Sequence, residues 1–356
     1  MKIAYILSHN ISTNDGVVKK IVDQVKSWRN FGGVVEVFVI TPNTNNTSIL
    51  SAHTYDFHGA LLSRLKCNQK LLNDVKAFSP DLIYFRYDQW SRNIEVLSKT
   101  YPLIIEANTN GINEAKLQLK THFSIKSILR YVATQLLHKR ILRISKGIVA
   151  VTHEIYQGSG YKATIASHTI IPNSISIDNY VHHNIEPTGN RPSLFFIGSP
   201  GQAWHGVDKI VSISENLPEY DFHIVGIEGS DSTNCFYYGY LNQEQYKPLM
   251  QKSCVAFGTL ALERKGMKEA CPLKVREYLA NGLPVILGYE DTALLHNPPW
   301  VLRINQVDSS TVDKIRGFVQ KYQYTRVPKN ELNSIDTNHL ERVRFEFLHT
   351  FIKRKS

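Results

Sequence analysis

The chain opens on an apolar run, Ile3 to Ser8, that turns polar at its end, the pattern of a buried strand. A loop rich in Asn, Ser, Thr and Asp follows over His9 to Gly16. Val17, Val18, Ile21, Val22, Val25 and Trp28 then recur at helical spacing and predict an amphipathic helix. Gly32-Gly33 closes that unit, and Val34 to Ile40 reads as the next strand. After a polar, Asn-rich loop over Thr41 to Ser51, Leu61 to Phe78 reads as a helix. Strands are expected at Asp81 to Tyr87, Leu103 to Asn108 and Gly147 to Thr152. Alternating strands and helices with loops between them predict an α/β fold built on a parallel sheet.

The alternation pauses over Val181 to Pro192, rich in Asn, His, Pro and Gly, and this stretch reads as a linker. It restarts with strands at Ser193 to Ile197, Asp221 to Gly226, Phe236 to Tyr240 and Trp300 to Ile304, with Val255 to Leu260 leading into the stretch that starts at Glu269. Helices are expected at Asn242 to Lys252 and Thr311 to Tyr324. A last helix, His339 to Lys353, would carry Leu340, Val343, Phe347 and Phe351 on one side. At 356 residues the chain has the length for two cores. The expected domains are residues 1–180 and 181–338, with 339–356 as a terminal helix.

One stretch organises the second half: Glu269-Ala-Cys-Pro-Leu-Lys-Val-Arg-Glu277, continuing Tyr-Leu-Ala-Asn-Gly282-Leu-Pro-Val. Pro272 suits the first helical position and Gly282 the helix exit. The first turn, Pro272 and Leu273 to Lys274, would point free backbone N–H groups outward, a ready phosphate site. Lys274 adds a positive charge there. Glu277 lies about 7 Å further along the axis by helical rise, far enough to accept from a ribose. Glu269 stands outside the helix, where it can take sugar hydroxyls. The bland alternative is a surface helix followed by a buried strand.

Glu269 and Glu277 match a Glu-x7-Glu spacing, and with Pro-Leu-Lys, Glu-Tyr-Leu-Ala and Gly-Leu-Pro-Val the stretch resembles family-4 retaining glycosyltransferases. That resemblance implies the GT-B fold, two Rossmann-like domains facing each other across a cleft, with a terminal helix crossing back to the first. It implies a nucleotide-sugar donor, retention of configuration, and a glycan or polyprenyl-diphosphate-linked acceptor in the synthesis of bacterial surface polysaccharide. The passage Ile170-Ile-Pro-Asn173-Ser174 resembles the family's Ile-Pro-Asn-Gly, with Ser174 in place of glycine. Many relatives place a histidine near the end of the strand that holds Glu106 and Asn108 here. Glu106 is then a candidate for bonding the donor sugar or the acceptor hydroxyl. After the Ser193 strand the loop Gly198-Ser-Pro-Gly-Gln-Ala-Trp204-His205-Gly206 offers a second phosphate cradle. There Ser199 and His205 stand near the places of an arginine and a lysine that bind the diphosphate in many relatives. His205, Lys209 and Lys274, with Arg264 or Lys265, are the candidates to supply the missing charge.

Other positions carry two readings each. Gly16 allows close approach of a ligand at the end of the first strand, or serves an ordinary tight turn. Arg86 and Asp88 end a strand where open α/β sheets bind ligands, or form a loop ion pair. His153 follows another strand, as a helper in acceptor binding or as a plain loop residue. No Asp-x-Asp occurs and no Cys/His spacing suits a metal, so neither metal nor cofactor is expected. Cys67, Cys235, Cys254 and Cys271 are scattered and read as reduced thiols.

A formal charge of +10 calls for an anionic partner. From Lys116 to Lys146 there are eight Lys or Arg and no Asp or Glu, interleaved with Leu117, Phe123, Ile125, Leu129, Val132 and Leu136. A basic region with an apolar face suits an anionic bilayer surface, or is two buried helices with basic outer faces. No recognised nucleic-acid motif accompanies the charge, so no nucleic-acid partner is expected. The N-terminus reads as a strand, not a signal peptide, and no apolar run nears the ~20 residues of a membrane span. The expected place is cytoplasmic, peripheral on the inner membrane face. The rivals are a nucleotide-sugar epimerase of similar fold and a non-catalytic nucleotide- or sugar-binding protein.

Overall fold

The computed structural model describes residues 1–11, 16–41, 51–56, 64–121, 123–182, 191–296 and 298–352. Most of the Asn-rich loop after Thr41, the start of the helix expected from Leu61, the middle of the expected linker and the end of the last helix lie outside these residues. The chain divides into two units, Met1–Pro172 with Thr337–Ser356, and Asn173–Asp336. The division thus falls at Pro172, where the sequence reading placed it at residue 180.

In chain order the first unit holds β1 (Lys2–Leu7), α1 (Gly16–Asn30), β2 (Val34–Thr41), β3 (His53–Asp56), α2 (Gln69–Phe78), β4 (Leu82–Arg86) and α3 (Arg92–Leu97). It continues with β5 (Leu103–Ala107), α4 (Gly111–Thr121), α5 (Ile125–Ile144), β6 (Gly147–Ala150), α6 (His153–Gln157), α7 (Tyr161–Thr164) and β7 (His168–Ile170). Its seven strands are ordered β3-β2-β1-β4-β5-β6-β7 and pair in parallel. The order reverses between β1 and β4, the place where open α/β sheets bind ligands beyond the strand ends. The apolar runs become strands because both faces are covered, as a parallel sheet requires. Tyr5, Trp28 and Tyr84 stack edge-on or tilted with ring centroids 5.1 to 5.6 Å apart, tying β1, α1 and β4 together. Within the expected Leu61 to Phe78 stretch, α2 begins at Gln69, where the Asn68 side chain accepts from the Leu71 amide at 3.1 Å and caps it.

The second unit comprises β8 (Ser193–Ile197), α8 (Val207–Glu215), β9 (Asp221–Val225), β10 (Cys235–Tyr237), α9 (Gln243–Lys252), β11 (Val255–Phe257) and β12 (Glu269–Ala270). Then come α10 (Leu273–Ala280), β13 (Val285–Leu287), β14 (Glu290–Asp291), β15 (Val301–Arg303) and α11 (Ser309–Tyr322). Its main sheet is ordered β10-β9-β8-β11-β13-β15, again all parallel, with the reversal between β8 and β11. Both sheets therefore follow the Rossmann order.

The last helix, α12 (Thr337–His349), belongs to the first unit. Leu340, Phe345 and Leu348 join that unit's core, each contributing about 1.5–3 kcal/mol of apolar burial. The expected face is partly wrong. Val343 is 40% exposed, while Glu341 and Arg344 are fully buried. The buried face turns around a charge pair instead of a valine.

Candidate functional site

The second unit assembles the organising stretch. Pro272 is the N-cap of α10, one residue outside the position expected from sequence, with ψ at 142°. No side chain caps this helix and its first turn carries no acidic residue, so its positive end is uncompensated. At the other end Gly282 adopts φ +80°, a conformation that glycine alone reaches without strain. Its amide donates to Leu279 O at 2.8 Å and that of Leu283 to Tyr278 O at 2.9 Å, a complete Schellman stop.

Lys274 turns back beneath β8. Its ammonium donates to Ile197 O at 3.0 Å and lies 4.0 Å from the centre of the Phe196 ring. Loss of water lowers its pKa to about 7. His205 sits beside it, its pKa lowered to about 3 by burial first and the Lys274 charge second, so its ring is neutral. The His205 Nδ1 is buried without a protein partner. A Cβ on Gly198 would stand 2.6 Å from that nitrogen and 2.7 Å from the Phe196 ring, so only glycine fits. Gly198, His205, Lys274, Pro272 and Leu273 thus gather at the end of β8 and the start of α10. Ser199 follows in the exposed loop.

Two expected cations are committed elsewhere. Arg264 forks onto Asp208 at 2.8 and 2.6 Å and donates to Ala203 O at 2.9 Å, pinning the glycine-rich loop instead of awaiting a phosphate. Lys209 donates to Leu260 O and Glu263, both at 2.8 Å. The charge of the cluster rests on Lys274 and the helix end.

Glu277 is held by two residues that the sequence did not single out. Gln243 donates to it at 3.1 Å, and the Tyr246 hydroxyl reaches its two oxygens at 3.0 and 3.1 Å. Both come from α9, so the carboxylate's orientation is fixed from a separate element. Glu269 lies partly exposed on β12, in register with Glu290. A buried brace holds the bend between them. Arg276 pairs twice with Asp291, at 2.9 and 2.7 Å, and donates to Asn173 O at 2.6 Å. Asn173 in turn donates to Cys271 O at 2.8 Å. The Ile-Pro-Asn passage therefore clamps the residue before Pro272, and Cys271 is buried packing.

The remaining candidates lie in the first unit. Glu106 requires a correction. It is fully buried, bonded by Lys20 at 2.8 Å, Arg86 at 3.1 Å and Tyr5 at 3.4 Å, with Arg344 at 3.9 Å. Burial alone would raise its pKa, but the three cations outweigh it and hold the carboxyl far below its usual range. It is a counter-ion, closed to any substrate. Arg86 and Asn108, by contrast, line a cavity of about 280 Å³ formed by the ends of β1, β4 and β5 under α4 and α5. His153 stands exposed at the start of α6, outside the residues that line this cavity. Gly16 is the exposed first residue of α1, after residues outside the described set.

Helix α5 forms one wall of the cavity with Arg130, Thr134 and His138, spaced four apart on one face. Its opposite face carries Ile125, Ile128, Leu129, Val132 and Leu136 toward solvent. Ile125 is 77%, Leu129 64% and Leu136 59% exposed, with Phe123 at 81% just before the helix. Lys126, Lys139 and Arg143 are exposed on the same helix.

No protein-family model matches the chain, and no curated protein matches it. Solved structures do. A glycosyltransferase from Rickettsia africae aligns at TM-score 0.68 and 13% identity, over 99% of both chains. An alpha-glucosyltransferase in complex with UDP and DNA aligns at TM-score 0.62 and 12% identity, over 98% of this chain and 99% of that one. WaaG, a glycosyltransferase involved in lipopolysaccharide biosynthesis, aligns at TM-score 0.56 and 12% identity, over 97% and 98%. At such identities the likeness is one of fold, and that fold is the GT-B arrangement of two Rossmann-like domains.

Proposed function

We propose that the protein is a retaining, family-4-like glycosyltransferase that moves a hexose from a nucleotide-sugar to a glycan or lipid-linked acceptor in cell-surface polysaccharide synthesis. The observation that carries this reading is the start of α10: an uncapped helix end beside the Lys274 ammonium, with Glu277 held about one turn on by Tyr246 and Gln243. A diphosphate takes the helix end, a ribose takes Glu277, and Glu269 orients the sugar to be transferred. The bond from the anomeric carbon to the leaving phosphate oxygen breaks as the bond to the acceptor oxygen forms on the same face. The acceptor's proton passes to the leaving phosphate, whose charge Lys274 and the helix dipole stabilise. The shared fold supports this reading, as does the likeness to an alpha-glucosyltransferase in complex with UDP and to WaaG, involved in lipopolysaccharide biosynthesis.

The outward stripe of α5 with its lysines and arginines supports a peripheral seat on an anionic, cytoplasm-facing bilayer. Among the described residues no helix is long and apolar enough to cross a membrane. The deciding experiment screens UDP-, GDP-, ADP- and TDP-sugars for thermal stabilisation and nucleotide release, with Glu277→Ala as control. Stabilisation by one donor that the variant loses supports the reading; no response to any donor refutes it.

A further inference from the structure

We infer that the cavity in the first unit is a binding site for one neutral pyranose unit, through polar groups whose orientation the fold has already fixed; as the acceptor subsite this rests on the transferase reading. The Lys20 ammonium donates to Asn108 Oδ1 at 3.0 Å. An ammonium has no acceptor, so the amide cannot be flipped, and its Nδ2 points away. That Nδ2 is buried and has no protein partner. Asn108 lines the cavity, and its amide is a donor held ready for a ligand oxygen.

Tyr87 supplies the matching acceptor. His138 Nε2 lies 2.7 Å from Ser159 O, and a carbonyl only accepts, so the ring proton sits on Nε2. Nδ1 is then the acceptor for the Tyr87 hydroxyl at 2.9 Å. With its proton spent there, the Tyr87 oxygen retains its lone pairs at the cavity wall. Arg86 keeps further N–H groups beyond the one given to Glu106, and the Asp88 carboxylate adds acceptor oxygens. Fixed donors beside fixed acceptors suit hydroxyls, each of which both gives and takes a hydrogen bond.

The charges argue against an anion. The charged side chains that line the cavity are two cations, Arg86 and Arg130, and two carboxylates, Asp88 and Glu114. The wall holds no surplus positive charge to receive a phosphate or carboxylate. About 280 Å³ also lies just below the roughly 300–1,000 Å³ of pockets for drug-sized ligands, a size for one sugar ring and not for a nucleotide.

The test uses saturation-transfer NMR on the full chain with a panel of methyl hexopyranosides, against the matching uronates and sugar phosphates. Asn108→Asp keeps the Lys20 contact and the side-chain size while removing the donor. Neutral glycosides should bind, weaken by about tenfold in Asn108→Asp, and be unaffected by Glu277→Ala. Tyr87→Phe should weaken them too, giving a second variant should the first fail to fold. Binding unchanged in both variants, or uronates and phosphates displacing the neutral glycosides, overturns the inference. Silence from every sugar while a nucleotide-sugar still stabilises the protein overturns it and leaves the transferase reading standing. Silence from both removes that reading as well.

Discussion

Lys274 makes donor binding a function of pH. Its ammonium is desolvated against Phe196 and Ile197 O, which brings its pKa to about 7, and the neighbouring His205 stays uncharged through the range. If the diphosphate of a nucleotide-sugar binds only the charged form, the apparent Kd scales with one plus ten to the power of pH minus pKa. That factor is about 1.1 at pH 6 and about 11 at pH 8, so affinity should fall about tenfold across the interval. The diphosphate diester itself has no proton to exchange there. The unliganded protein should behave oppositely. Its lysine pKa is lowered below the unfolded value, so between about pH 7 and the ordinary lysine range the unfolded chain binds more protons, and stability rises with pH. Calorimetric titration of the intact donor at pH 6, 7 and 8 measures the first effect. Lys274→Arg, charged throughout, should flatten the curve, and Lys274→Met should bind weakly at every pH. A wild-type affinity constant from pH 6 to pH 8, or an equal fall in Lys274→Met, would refute the reasoning.

Glu277→Ala should weaken the donor by about 1.5–3 kcal/mol, and Tyr246→Phe should raise KM more than it lowers kcat, since Tyr246 acts by aiming the carboxylate; steady-state kinetics separate the two. Arg276→Met leaves Asp291 buried and unpaired, and urea unfolding should show a loss of about 3–5 kcal/mol. Glu106→Gln strips the counter-charge from Lys20, Arg86 and Arg344 and should cost a similar ~3–5 kcal/mol, with donor affinity in the second unit unchanged. The same carboxyl, held below its usual range, gives stability that is present above the ordinary glutamate pKa and lost as pH falls through acid values, which acid unfolding of wild type against Glu106→Gln will show. Leu129→Asp with Leu136→Asp should abolish co-sedimentation with vesicles containing anionic lipid, binding that in the wild type weakens as salt is raised.

What was legible in the chain is what local chemistry decides. Apolar runs separated by polar turns placed most strands of the two main sheets, though not β3 or β7, because both faces of a parallel sheet are covered and the run itself is the signal. Gly282 announced the end of α10 because only glycine takes that backbone conformation cheaply. Charge pairing over long separations left no such trace. Lys20 reads as part of the polar side of α1, yet it is buried because its partner Glu106 stands 86 residues away. Glu106 misled for the same reason. A carboxylate at the end of a strand, beside a proposed ligand site, has the same local sequence whether it meets a substrate or a buried cation. Only the positions of Lys20, Arg86 and Arg344 decide between them, and these come from three other elements. Arg276 and Arg344 repeat the pattern on helices, where an arginine looks solvated until its carboxylate partner is found beneath it. The buried network in turn fixes Asn108 through Lys20, so the residues hardest to read are those that aim the cavity's polar groups. A local pattern can thus locate a site on this fold, while the identity of its working side chains follows from which charges the interior has already neutralised.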